Sequence, residues 1–106
     1  PRLVVDRAAN VKSDDGKRAE RTALCMRDEG RRVDVIIVRR SDDGESSGPS
    51  LFALAKHLAD GGCDGALNLD GGPSTGVAWH DSTTNSAKLI APRGPVRFAI
   101  AFRKKP

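Results

Sequence analysis

The chain has no tyrosine, one tryptophan and three phenylalanines. Aromatic side chains normally supply much of the mass of a small core, so a core here has to rest on Leu, Ile, Val and Ala. No apolar run approaches the length of a membrane span, which excludes a single-pass helical anchor within these residues. The sequence opens at Pro1 without a signal-peptide or transit pattern. Cysteine is scarce: Cys25 and Cys63 stand far apart and lack metal-ligand spacing. Two buried thiols are the expectation, with a disulfide left to geometry. There is no internal repeat and no low-complexity stretch.

What is present fits one domain, since 106 residues hold no more. A chain of this size buries roughly two-thirds of its unfolded surface, which makes a marginal unit or one part of a larger domain. The 18 basic residues are twelve Arg and six Lys, against 14 acidic ones, for a net charge of +4. That mild excess favours an anionic ligand or surface. Nucleic acid is not expected as a partner, because the aromatic stacking residues of single-strand binders are missing.

Arg2-Leu3-Val4-Val5 reads as a short strand, and Ser13-Asp14-Asp15-Gly16 as a turn. Residues 21–38 read as a hairpin: Arg21-Thr22-Ala23-Leu24-Cys25-Met26, a loop at Asp28-Glu29-Gly30, then Val33-Asp34-Val35-Ile36-Ile37-Val38. The apolar end of the second run suits a central, mostly buried strand. Residues 39–48 are charged and rich in Ser and Gly, a solvent loop. Leu51, Leu54, Ala55 and Leu58 recur at helical spacing. Ser47 or Ser50 can cap that helix, Pro49 suits its first turn, Gly61-Gly62 stops it, and His57 suits its negative end.

Residues 65–69 form a further short strand. Strand, helix and strand then make a βαβ unit over 33–69, whose two strands run parallel with a right-handed crossover. Residues 76–79 and 88–90 are strand-like, 80–85 a polar turn, and 96–102 alternate as a closing strand before a basic tail at 103–105. The fold class expected is therefore α+β: a mixed sheet with one main helix and flanking antiparallel strands.

The stretch Asn68-Leu69-Asp70-Gly71-Gly72-Pro73-Ser74-Thr75-Gly76 holds an amide, a carboxylate, three glycines and two hydroxyls. It lies at the carboxyl end of a strand, the edge where open α/β sheets hold ligands. Three readings compete. Glycines and hydroxyls suit a phosphate loop, although no Gly-Lys-Ser/Thr is present. Gly72-Pro73-Ser74-Thr75-Gly76 matches G-x-S-x-G, but the motif needs a following helix, and Val77-Ala78-Trp79-His80 is strand-like. Asp70 can be an acid, base, nucleophile or metal ligand, or it can simply cap its own Asp-Gly turn.

Residues 66–75, Ala-Leu-Asn-Leu-Asp-Gly-Gly-Pro-Ser-Thr, resemble the signature of the phosphodiester glycosidase family. Arg21-Thr22-Ala23-Leu24, residues 48–55, residues 1–4 and residues 96–102 resemble further segments of that family in the same order. The resemblance implies a hydrolase that separates a sugar from a phosphodiester. Asp70 would be its catalytic carboxylate. Arg21, Thr22, Asn68, Gly71, Gly72, Ser74 and Thr75 would hold the sugar phosphate, with the glycine backbone as a cradle. No cofactor is evident, and the metal requirement is open. The alternative is a binding module that holds a sugar phosphate without turning it over.

There are departures. Arg39-Arg40-Ser41 stands where the family has Asp-Gly-Arg, Ala53 where many members have Glu, and Cys25 where Gly is usual. The family's first half, with its Asn-Gly-Gly segment, has no counterpart. The chain therefore resembles the C-terminal half of a family domain. Its partners would be a sugar phosphate or glycan, the missing half, or a second copy. The resemblance also implies a secreted or periplasmic location.

Overall fold

The computed structural model describes residues 1–96 and 99–103. One sheet contains β1 (Arg2–Val5), β2 (Ala8–Ala9), β3 (Arg21–Arg27), β4 (Arg32–Val38) and β5 (Gly65–Asn68), in the order β2-β1-β5-β3-β4. Helix α1 (Leu51–Asp60) covers one face of it. Strands β6 (Val77–Asp81) and β7 (Ser86–Ile90) pair separately as a two-stranded ladder. The α+β class is as expected.

The hairpin forms in full register, from Arg21↔Val38 to Arg27↔Arg32. Its turn takes left-handed conformations at Asp28, Glu29 and Gly30, the last with φ +87°, which suits glycine. Strand β3 also pairs antiparallel with β5, through Leu24↔Leu67 and Cys25↔Ala66. Strands β4 and β5 thus run in the same direction, as a βαβ unit requires, but β3 lies between them. That insertion corrects the expected place of β4. It is an edge strand, with Val33 and Val35 more than 40% exposed. The middle of the sheet belongs to β5, with β3 the interior strand between it and β4, and Ala23 and Cys25 of β3 are fully buried.

Helix α1 follows its pattern. Leu54, Ala55 and Leu58 are buried, and the Ser50 hydroxyl accepts from the Ala53 amide at 3.2 Å as the N-cap. Pro49 precedes that cap instead of occupying the first turn. The amides of Gly61 and Gly62 close the helix on the carbonyls of His57 and Ala59, and Gly62 has φ +94°. Two local features depart from expectation. Strand β2 is only two alanines, which carry no strand signal, and pairs with β1 across a turn at Asp6 and Arg7. The expected strand at 96–102 is not seen in Val96 or in residues 99–102, which pair with no described strand and are exposed. Arg97 and Phe98 of that expectation, and Lys104 and Lys105 of the basic tail, lie outside the described residues.

The core is Leu3, Val4, Ala23, Cys25, Leu54, Ala55, Leu58, Cys63 and Ala66. It contains no aromatic ring. At its centre Cys25 and Cys63 form a disulfide, with both residues fully buried. The two thiols expected from the sequence are joined because β3 and the segment leading into β5 are neighbours in the sheet. The bridge closes a separation of 38 residues, and by loop-closure entropy that is worth about 4 kcal/mol. A cross-link of this size offsets what a core without large rings lacks.

Candidate active site

The polar turn begins where β5 ends. The Leu69 amide continues the ladder by donating to the Thr22 carbonyl at 2.8 Å. The Gly72 amide then donates to the Glu20 carbonyl, also at 2.8 Å. Gly71 lies so close to that strand that a Cβ on it would meet the Glu20 carbonyl oxygen at 2.7 Å. This explains a glycine at 71 by close approach. At 72 the reason is conformation, with φ +59°. A single 3-10 turn, Gly72–Ser74, follows. On its far flank, the Gly94 amide donates to the Pro73 carbonyl and the Ser74 hydroxyl to the Pro95 carbonyl, both at 2.9 Å.

The fold therefore gathers Arg21, Thr22, Asn68, Asp70, Gly71, Gly72, Ser74 and Thr75 at one end of the sheet, but not all in the form expected. The amides of Gly72, Ser74 and Thr75 are spent on the carbonyls of Glu20, Gly71 and Gly72. Those amides do not converge outward as a phosphate cradle would require. Ser74 points its hydroxyl at Pro95, which suits neither a nucleophile nor a free donor. Arg21 donates Nε to the Pro49 carbonyl at 3.1 Å and Nη2 to the Lys17 carbonyl at 2.7 Å, tying β3 to the approach of α1. Its fork is used structurally.

Three other side chains behave differently. The hydroxyls of Thr22 and Thr75 and the amide oxygen of Asn68 are buried and have no hydrogen-bond partner among the described residues. Buried polar atoms are nearly always paired, and these three border the turn, with Asn68 on the face of its partner Ala23 and Thr22 on the opposite face. Asp70 stands exposed beside them. No group of three or more His, Cys, Asp or Glu side chains gathers as a metal-ligand set among the described residues.

Sequence reasoning missed Glu20. Its side chain is only 2% exposed, and it is the hub of the region. Oε1 accepts Nε of Arg93 at 2.7 Å and also Nη2 of Arg93. Oε2 accepts the Arg40 amide at 3.2 Å and lies 3.5 Å from Nε of Arg39. Burial pushes the carboxyl up, but the bonds from Arg93 and Arg40 and the charges of Arg93 and Arg39 outweigh it and hold the group below its ordinary value. One signal was available. Extending the hairpin register by one step from Arg21↔Val38 sets Glu20 opposite Arg39, an opposite-charge cross-strand pair. Arg93, 73 residues away, had no such signal.

The turn, its place at the end of β5 and its fit to the Arg21-Thr22 strand coincide with a profile of phosphodiester glycosidases that matches residues 1–103. The chain belongs to the phosphodiester glycosidase family. Its fold is similar to that of a hypothetical protein from Synechocystis known from a crystal structure, with 29% identity and a TM-score of 0.55. That likeness covers 71% of this chain and 15% of the Synechocystis chain, so the chain spans a small part of its solved relative. No curated protein matches it. For a family member, the orphaned oxygens around Asp70 are the feature of most chemical interest.

Proposed function

We propose that the chain carries the Asp70 side of a hydrolytic site for a glycosyl phosphodiester, releasing the sugar from the phosphate. The observation that supports this most is the coincidence of family membership with two unpartnered buried oxygens of the Asp70 turn itself, Asn68 Oδ1 and Thr75 Oγ1. In the reaction the oxygen of water bonds to the anomeric carbon, and the bond from that carbon to the phosphate oxygen breaks. The electron pair leaves with the phosphate, and a water proton passes to Asp70. A phosphate monoester has its second pKa near 6, so it departs with little help from an acid. What remains for a carboxylate is to activate water and face the positive charge developing on the sugar ring. An exposed Asp at a rigid strand end suits that work.

Glu20 is the one buried carboxylate among the described residues, but two guanidinium groups hold it ionised. It does not serve as the paired acid. That observation favours a second reading, a module that binds a sugar phosphate without turnover, wherever no further carboxylate joins Asp70.

The chain corresponds in this proposal to the C-terminal half of a family domain. One face of the sheet supports it. Met26 with Val33, and Leu24 with Val35 and Leu67, share the face turned away from α1, and all of these but Leu24 are over 40% exposed. Such a face is normally covered by more protein. The buried disulfide supports a location outside the reducing cytosol. The test of function is to incubate the protein with a glycosyl phosphodiester and separate the products. Free sugar plus intact phosphomonoester is expected. Unchanged diester with measurable binding would favour the module.

A further inference from the structure

The amides of Gly72, Ser74 and Thr75 are committed within the chain, so a charged side chain is needed to match an anionic group at Asp70. Arg21 has Nε and Nη2 on the carbonyls of Pro49 and Lys17, two separate backbone groups that draw its guanidinium toward the approach of α1. On the opposite flank stands Arg93. The segment that carries it is fastened to the turn by Gly94 to Pro73 and by Ser74 to Pro95, each at 2.9 Å. Its guanidinium meets Glu20 through Nε and Nη2, and both donate to the same oxygen, Oε1. Nη1 has no partner among the described residues. The Arg93 side chain is 37% exposed and that of Arg39 is 42%, whereas the carboxylate that orders them is 2% exposed. One buried negative charge thus faces two half-exposed cations, which leaves a surplus of one positive charge on the solvent side.

We infer that Arg93, oriented by Glu20 and supported by Arg39, is the group that binds the anion at the Asp70 turn, with a phosphate ester as the ligand class. This rests on the reading of the turn as a sugar-phosphate site, and it replaces Arg21 in that role. A guanidinium fixed at one edge by a carboxylate keeps its other edge in a set direction, and little rotamer entropy is then lost when phosphate oxygens arrive. Glu20 touches no ligand in this arrangement and is a positioning residue.

The test titrates the wild-type protein and four variants with inorganic phosphate at low salt, followed by calorimetry. Thermal melts check that each variant folds. Arg93→Gln should weaken phosphate binding at least about tenfold, as expected for loss of a charge-assisted pair. Arg93→Lys should fall between, since it keeps the charge and loses the fork, and it carries the test if the Gln variant does not fold. Arg21→Lys should bind as wild type. Glu20→Gln separates positioning from simple charge. Removing a negative charge alone would tighten anion binding, whereas loss of orientation weakens it. Weaker binding is expected, and tighter binding would overturn the role given to Glu20. Phosphate binding that survives Arg93→Gln and is lost in Arg21→Lys would overturn the inference while leaving the sugar-phosphate site intact. No binding by wild type would overturn both.

Discussion

The amide of Gly72 donates to the carbonyl of Glu20 at 2.8 Å, and the carboxylate of the same glutamate holds Arg93. Backbone and side chain of one residue therefore fix both flanks of the Asp70 turn. The turn is shaped by the strand beside it before any ligand arrives.

That closeness makes Gly71 the most sensitive glycine of the turn. Its backbone, at φ −130°, is open to any residue, so the cost of Gly71→Ala is purely steric: the new Cβ meets the Glu20 carbonyl oxygen at 2.7 Å and the Arg21 Cα at 3.3 Å. Both are backbone atoms that cannot swing aside. A loss of about 1–3 kcal/mol is expected in urea denaturation. Gly72→Ala meets nothing within 4 Å and carries only the strain of φ +59°, about 1–2 kcal/mol. Only Gly71→Ala should displace β3 from the turn, seen as shifted amide resonances at Glu20 and Arg21.

Glu20 should leave a signature in acid. Its carboxyl lies below the ordinary value of 4.5 in the folded protein. A depressed carboxyl contributes stability that is fully present above its unfolded value and is lost as pH falls through the lower folded one. At pH 7, Glu20→Gln should be less stable by about 1–2 kcal/mol, since the pair is buried on one side and half-open on the other. The gap between the two proteins should narrow below pH 4.5. Asp34, held low by Arg32 and Arg27, and Asp64, held low by the Glu29 amide and Arg7, lose stability in the same direction in both proteins and cancel in the difference. A gap that stays constant down to about pH 3 would contradict the assignment.

The disulfide should dominate stability. Reduction, or replacement of Cys25 and Cys63 by Ala, removes a constraint on 38 residues and should cost about 4 kcal/mol. Replacement also leaves space in a core that has no ring to fill it, which adds to the loss. Denaturation with and without reductant measures this. An unchanged midpoint would show that the bridge is not part of the native protein.

Much of this architecture is legible in the sequence, because local rules dictate it. The stripe of Leu51, Leu54, Ala55 and Leu58, with Ser50 before it and Gly61-Gly62 after it, leaves no other reading than a helix. The 21–38 hairpin follows from two apolar runs around Asp-Glu-Gly. Burial is less readable. Residues 33–38 are the more apolar run, yet β4 lies at the edge and β3 inside, because β5 pairs with β3 and not with β4. Position in a sheet depends on the third strand, and nothing in the hairpin names it. The turn at 68–76 was legible as a site and misleading in detail. A glycine amide or serine hydroxyl that serves its own chain looks the same in sequence as one that serves a ligand. Only the distances to Glu20 and Pro95 separate the two uses.

The most direct measurement is the rate of sugar release from a glycosyl phosphodiester by wild type and by Asp70→Asn. The substitution preserves the shape of the turn and removes the charge. Turnover should fall by at least about a hundredfold, the scale of a lost general base, while phosphate binding is kept. A variant that releases sugar at the wild-type rate would contradict the role of Asp70 and with it the proposed reaction.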